Sequence, residues 1–328
     1  MLAPPWILSV YDSVVTGAAG FIGSHLAERL VDRGDRVLGI DSFDSYYPRR
    51  DKLRNLAHLT GSPRFELRRA DLRRIRLERH LAPGTTVYHL AGQPGVRGSW
   101  GSRFDQYADN NILATQALLE GLARAGGRNR LVYGSSSSIY GVQPSGAMGE
   151  EAVPNPISPY GMTKLAAEHL GRAYARAHSL PFVALRFFTV YGPRQRPDMA
   201  FHRFFRAARA GRPLQLFGTG RQLRDFTYVS DTVDGLVRAG APGGPVGTFN
   251  LGRGSPVRLM AAMREIQRIV GSGVPLERGP RPAGDPDVTW ADIRRATKAF
   301  GYRPRVDLAE GLRHQWAWHE RQGPYAAG

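Results

Sequence analysis

Through the first 190 residues, short apolar runs alternate with longer stretches whose apolar residues recur three and four apart. The apolar runs predict strands near 10–16, 36–40, 64–69, 86–90, 130–134 and 181–187, and the periodic stretches predict helices near 21–33, 48–59, 104–125 and 159–179. Such alternation implies an α/β fold, a doubly wound parallel sheet covered by helices on both faces. The first strand is the weakest, because Leu8 to Val14 is more polar than an inner strand usually is. Beyond Gly192 the pattern breaks up at Pro193, Pro197, Pro213 and glycines 211, 218 and 220, leaving helices expected at 198–210, 257–270 and 308–322. The expected division is residues 1–188, with later segments returning near 225–250, against a smaller α/β unit made mainly of 189–328.

The turn between the first strand and helix reads Val14-Val-Thr-Gly17-Ala-Ala-Gly20-Phe21-Ile22-Gly23. Gly17 permits a tight turn, Gly20 lets backbone approach a pyrophosphate, and Gly23 lets the helix pack on the sheet. The helix N-terminus beginning at Phe21 and Ile22 then offers free N–H groups to the phosphates. A plain glycine-rich turn is the competing reading in a chain with 39 glycines. Context favours the dinucleotide. A second strand ends in Asp41, about twenty residues on, where a carboxylate accepts ribose hydroxyls and repels a 2′-phosphate. NAD is therefore expected over NADP. Asp71, after the strand at 64–69, is expected either beside the adenine or as a helix cap.

Tyr160-Gly-Met-Thr-Lys164 puts a phenol and an ammonium on one face at the start of a helix, with Ser158 to cap it and Pro159 in its first turn. A nearby ammonium favours phenolate, so Tyr160 is expected to have a lowered pKa and to serve as a general base toward an alcohol. Ser135 to Ser138 follow the apolar run Leu131-Val-Tyr133, at the sheet edge where doubly wound folds place ligands.

Taken together, T-G-A-A-G-F-I-G at 16–23, H-L-A-G at 89–92, S-S-S-S-I-Y-G at 135–141, Y-G-M-T-K at 160–164, L-R-F-F-T-V-Y-G-P-R-Q-R-P-D-M at 185–199 and R-D-F-T-Y-V at 224–229 resemble one group. It is the extended short-chain dehydrogenase/reductases, in the NAD-dependent epimerase/dehydratase family. The resemblance implies a Rossmann-like NAD domain, a smaller C-terminal domain for a nucleotide sugar, and a Ser136–Tyr160–Lys164 catalytic set, with Lys164 also on the nicotinamide ribose. Dehydratases of the group carry Asp-Glu at the two positions after the serine, and UDP-glucuronate decarboxylases carry a glutamate at the second. Ser137 and Ser138 stand there instead. Oxidation at C4 without elimination implies epimerisation, with both serines at the sugar. The stretch 189–199 is similar to UDP-glucuronate 4-epimerases, in which the positions of Thr189 and Arg196 hold the sugar carboxylate; Arg196 as a loop cap or phosphate ligand is the alternative. Arg97, Arg224 and Arg281 are implied UDP contacts, with Arg281 standing in for an arginine that is Pro282 in this chain, just before Gly284-Asp285.

Composition narrows the alternatives. The chain has no cysteine, which excludes disulfides, thiol nucleophiles and cysteine metal sites, and no metal site is expected. The opening residues lack the features of a signal peptide and no apolar run is long enough for a bilayer, so a cytoplasmic, membrane-free protein is expected. The net charge of +17 comes almost entirely from scattered arginine, lysine being confined to 52, 164 and 298, so nucleic acid is the lesser reading of that charge. The partners expected are a UDP-sugar and a second copy, paired through helices 104–125 and 159–179 with help from Ile112, Leu118, Leu119 and Leu122. The competing functions are a UDP-glucose or UDP-N-acetylhexosamine 4-epimerase and, in another class, an inert NAD-binding or nucleic-acid-binding relative.

Overall fold

A computed structural model of the chain describes residues 11–322 except 144–145, 272 and 281–285. Six parallel strands come from the first 190 residues: β1 Ser13–Thr16, β2 Val37–Asp41, β3 Phe65–Arg69, β4 Thr86–His89, β5 Arg130–Ser136 and β6 Phe182–Phe187. A short strand Thr189–Tyr191 (β7) leads out, followed by β8 Leu214–Phe217, β9 Leu223–Arg224 and β10 Phe226–Tyr228. A further strand, β11 Gly247–Leu251, pairs in parallel with β6. The sheet order is β3-β2-β1-β4-β5-β6-β11, a parallel doubly wound sheet whose order reverses between β1 and β4. The carboxyl ends of those two strands form the crevice where such folds hold ligands. The residues before Tyr11, including most of the polar run ahead of β1, lie outside the described residues.

The helices are α1 Phe21–Arg33, α2 Arg49–Asn55, α3 Phe104–Tyr107, α4 Ala114–Arg124, α5 Pro159–His178, α6 Ala200–Arg209, α7 Val229–Ala239, α8 Leu259–Val270, α9 Arg294–Phe300 and α10 Leu308–Arg321. Three departures from the sequence pattern have physical causes. The helix expected over 48–59 is helical only to Asn55; beyond it, turns still bury Leu56 and Leu59. The helix expected over 104–125 is interrupted by a π-helical segment, Ala108–Leu113. That wider turn swings Asn111 inward, where its amide donates to Gln93 O (3.0 Å) and Thr163 Oγ1 (2.9 Å) and its Oδ1 accepts from Gln93 N–H (2.6 Å). The third departure is α7 and α9, two helices set among the prolines and glycines that read as loop; α7 buries Val229, Val233 and Leu236 at helical spacing.

One apolar cluster joins the face of the sheet under α1 to α6, α7, α8 and α10, and a second lies under α4 and α5. Leu118, Leu119 and Leu122 belong to the second cluster, against Val87, Leu131 and Tyr133. They face the sheet and are fully covered, so they are not surface for a second copy, while Ile112 is half-buried. No helix among the described residues is long and apolar enough to cross a membrane.

Between α5 and β6 the structure buries a charge pair. Glu168 and Arg186 have side-chain exposures of 0% and 1%. Arg186 donates through Nε and Nη2 to the two Glu168 oxygens at 3.0 and 2.9 Å, and Ser135 Oγ donates to Oε1 at 2.5 Å. Arg186 Nη1 also donates to Tyr140 Oη (2.9 Å), which in turn donates to Asn250 Oδ1 on β11 (2.7 Å). Two charges are tolerable without water because their remaining lone pairs and protons are met. Arg186→Met would strand the carboxylate. The expected loss, read from urea unfolding, is roughly 3–5 kcal/mol; a loss under about 1 kcal/mol would show that Arg172, which reaches Glu168 at 3.3 Å, suffices alone.

Candidate functional site

The β1–α1 turn makes a backbone cradle. Gly17 has φ +69°, and a Cβ there would lie 2.8 Å from Ala91 N; a Cβ on Gly23 would lie 2.1 Å from Gly17 O. Only glycine leaves that space. The N-terminus of α1 starts at Gly20 with no side-chain cap and no acidic residue in its first turn, so its N–H groups face the cleft and favour an anion. The turn, Phe21, Ile22, Asp41, Asp71, Tyr160, Lys164 and Arg196 all line this one cleft.

Asp41 closes the cradle at the end of β2. Its Oδ2 accepts from Ala19 N–H (3.1 Å) and its Oδ1 from Phe43 N–H (2.7 Å). Lys52 Nζ lies 3.6 Å from Oδ1, both groups being buried. Asn55 adds a bond to Ala19 O at 3.0 Å, so α2 braces the glycine turn. A carboxylate held this way beside an anion-binding turn fits a dinucleotide bearing a free ribose diol. Asp71 lines the same cleft and also shapes its own turn, accepting from Arg73 N–H at 2.9 Å.

On the opposite wall, α5 begins where its sequence predicts. Ser158 Oγ accepts from Gly161 N–H (3.1 Å) and Pro159 sits in the first turn. Tyr160 and Lys164 then enter the cleft together. Ser136, at the end of β5, accepts from Ser138 N–H at 3.1 Å and is hydrogen-bonded to the Tyr160 phenol. The expected lowering of the Tyr160 pKa is reversed in the protein alone. Burial pushes the phenol up, and the Ser136 bond and nearby Arg196 only partly offset it. Burial also acts on the ammonium, bringing Lys164 down to about 7 against the pull of Glu168. Its Nζ lies over the Tyr133 ring, 4.3 Å from the centroid. Desolvation thus leads at both groups, and Lys164 is not among the groups that act on the phenol, so the expected pairwise effect does not arise in the protein alone.

The remaining predicted residues are spread more widely, and of those among the described residues only Arg196 lines the cleft. Ser137 and Ser138 form a half-buried turn directly after Ser136. Thr189, half-buried on β7, donates its N–H to Asp225 O at 3.0 Å. Arg196 holds Asp198 in a two-point ion pair, Nε to Oδ1 and Nη2 to Oδ2, both 3.0 Å. Arg97 lies over the Phe217 ring at 4.7 Å, with Arg203 over the same ring at 5.4 Å. Arg224 donates to Leu223 O (2.8 Å) and Asp287 O (3.3 Å) on the short strand β9, away from the cleft lining. Arg281, Pro282 and the Gly284-Asp285 pair lie outside the described residues.

Sequence reasoning missed several groups. Lys52 is one of only three lysines, which was signal enough to ask what it holds. Glu168 sits four residues after Lys164, on the same helix face. His89 is bound by Thr16 Oγ1 (2.8 Å) and Thr115 Oγ1 (2.9 Å), and burial brings it down to about 3, so it acts as a neutral tie between β1, β4 and α4. Phe217 between two arginines had no local signature.

Residues 13–252 match the model of the NAD-dependent epimerase/dehydratase family. A Bacillus subtilis (strain 168) protein named as an uncharacterized UDP-glucose epimerase, YtcB, is 43% identical over 93% of this chain and 96% of its own. The structure of a UDP-glucuronic acid 4-epimerase from Bacillus cereus with UDP-glucuronic acid and NAD superposes with a TM-score of 0.90, at 40% identity over 94% of this chain and 99% of that one. MoeE5, solved with NAD and either UDP-glucuronic acid or UDP-glucose, superposes with a TM-score of 0.84, at 42% identity over 94% of this chain and 99% of that one.

The depressed Lys164 makes a prediction about the protein without ligands. An unfolded lysine keeps its proton to about 10.4, whereas the folded one releases it near 7. The unfolded chain therefore binds more protons between those values, and stability from this site rises with pH across that window. Lys164→Met should raise stability at pH 6, on the order of 1–3 kcal/mol by urea unfolding, with the gain shrinking toward pH 10. An equal loss at both pH values would mean that the ammonium is not under desolvation stress.

Proposed function

The chain belongs to the NAD-dependent epimerase/dehydratase family, and from that premise we propose that it interconverts UDP-glucuronate and UDP-galacturonate by inverting C4. The observation that carries this reading is the convergence of Ser136, Tyr160, Lys164 and Arg196 beside the glycine cradle. The fold and the neighbouring complexes with NAD support NAD as the cofactor. Residues 1–188 together with β11 are taken as the NAD-binding domain, and most of the rest as the sugar-nucleotide domain.

Bound NAD would accept and return the C4 hydride; the protein handles the protons and the geometry. Tyr160 takes the O4 proton as phenolate. Ser136, held by Ser138 N–H, keeps one lone pair occupied and aligns its hydroxyl between sugar and phenol. Lys164 supplies a positive charge that lowers the cost of the phenolate. When the 4-keto sugar has turned its other face, Tyr160 returns the proton to O4. Ser137 and Ser138 offer hydroxyls where an elimination needs carboxyl groups, which supports inversion over dehydration.

The sugar carboxylate sets a further demand. Oxidation at C4 makes a β-keto acid, which loses CO₂ once the carboxylate turns perpendicular to the carbonyl. Arg196, a planar two-point donor lining the cleft, is suited to hold that group in plane, with Thr189 assigned to the same carboxylate. Arg97 and Arg224 are assigned to the UDP. A second reading, UDP-glucose 4-epimerase, is favoured by the Bacillus subtilis relative and by the UDP-glucose complex of MoeE5. Incubation with each sugar and separation of the products discriminates them. UDP-galacturonate without UDP-pentose is the expected product from UDP-glucuronate, whereas conversion of UDP-glucose alone would overturn the preferred reading. Tyr160→Phe should lower turnover by about 10²–10⁴-fold while NAD stays bound; turnover within twofold of the parent would remove Tyr160 from the base role.

The same reading includes a homodimer in the cytoplasm. With the leucines of α4 turned to the sheet, the supporting surface is different: Leu113, just ahead of α4, and Met162 on α5 are 51% and 55% exposed. Light scattering at micromolar concentration should give the dimer mass, and Met162→Glu should shift it toward monomer. A monomeric parent would refute the pairing.

A further inference from the structure

Among the described residues, Arg196 is the arginine that lines the cleft, and its guanidinium is already engaged. Two of its donors, Nε and Nη2, end on Asp198, two residues away, at 3.0 Å each. Asp198 stands beside the phenol of Tyr46, which comes from the loop after β2 and lines the same cleft. Asp198 Oδ2 also lies close to Gly95, where a Cβ would meet it at 3.8 Å and Tyr46 Oη at 2.8 Å. The pair therefore sits where three loops meet beside Tyr160. It is less buried than Glu168–Arg186, with side-chain exposures of 20% for Arg196 and 35% for Asp198.

The backbone around the pair is held. Arg194 adopts φ +63° and reaches back to α1, donating to Glu28 Oε1 (2.7 Å) and Ser24 Oγ (3.3 Å). His25 meets Pro193 O at 3.0 Å. Gln195 donates to Val190 O (3.1 Å) and accepts from His202 N–H (3.0 Å). A non-glycine residue in the left-handed region persists only where its surroundings hold it. Exchange of partners at Arg196 is thus a matter of side-chain rotation on a fixed loop.

We infer that Asp198 is an internal carboxylate that occupies the Arg196 fork until a sugar carboxylate displaces it, and that it thereby sets the preference between acidic and neutral UDP-sugars. This rests on the proposed UDP-sugar reading. A fork that holds one carboxylate at two points is shaped for another of the same geometry. A neutral sugar meets a fork whose charge is already balanced. An acidic sugar must first turn Asp198 out toward solvent, to which its side chain is already 35% exposed. Asp198 therefore weakens acidic sugars and is indifferent to neutral ones.

The test is binding of UDP-glucuronate and UDP-glucose to the NAD-loaded protein by calorimetry, comparing the parent with Asp198→Asn and Asp198→Glu. The asparagine keeps the shape and the Tyr46 contact but releases the fork. It should tighten UDP-glucuronate about tenfold and leave UDP-glucose within twofold. The glutamate, still charged, should stay near the parent for both sugars. Equal changes for the two sugars in Asp198→Asn, or weaker UDP-glucuronate alone, would overturn the inference, because Asp198 would then be needed to orient the loop or the fork. Binding of neither sugar by the parent would overturn the functional reading and the inference with it. Binding without turnover would overturn the epimerase assignment alone, since the difference between the sugars is read from affinity.

Discussion

The buried pair Glu168–Arg186 is the constraint to which the rest of the site is attached. It joins α5 to β6, and through Ser135 and Tyr140 it reaches β5 and β11. Removing water from two charges is costly, and the arrangement survives only with every partner in place. That demand fixes how α5 lies on the sheet. Tyr160 and Lys164 lie on the first turns of the same helix, two turns and one turn ahead of Glu168. Their position over the cleft follows from a charge pair that never touches the cleft.

Glu168 also acts on Lys164 directly, because it opposes the loss of its proton while burial promotes it. Two tendencies compete at that ammonium, and the same competition holds at Tyr160. The protein alone thus keeps both groups in an unfavourable medium for their charged forms. Such stress is typical of groups whose stabilising partner arrives with a ligand. The β1–α1 cradle shows a related economy: its glycines leave the backbone bare, and Asp41 is held by Ala19 and Phe43 N–H groups so that it needs no ligand to be ordered.

Much of this was legible in the sequence, and the boundary follows sequence distance. The alternation that predicts strands and helices is local, and it yields the doubly wound parallel sheet. The glycine turn, the Ser158 cap and the Tyr160–Lys164 spacing are also local, and each appears at its expected place. What failed was the sum of effects that cross the chain. Lys164 was expected to lower the Tyr160 pKa, but burial, which no spacing reveals, dominates. Leu118, Leu119 and Leu122 could face a partner or the sheet, and only the packing decides for the sheet. The π-helical interruption at 108–113 answers to Gln93 and Thr163, both distant in sequence. Segments rich in proline and glycine concealed α7 and α9 for the opposite reason: their turn residues are real, but two short helices fit between them.

The arginine surplus shows how a common local feature acquires a special role by position. Pairs two residues apart recur along the chain: Arg33–Asp35, Arg68–Glu66, Arg73–Asp71, Arg76–Glu78 and Arg294–Asp292. Most involve strongly exposed arginines, where water screens the attraction and ordering two side chains costs entropy, so they contribute little to stability. Arg196–Asp198 has the same local form, yet its arginine lines the cleft, on a loop tied to α1, with Tyr46 and Tyr160 beside it. There Arg196 is 20% exposed, less than the arginines of the surface pairs, so water screens its charge less. A pair that would be incidental on the surface is set at the edge of the cleft by the surrounding loops, rather than by its own sequence.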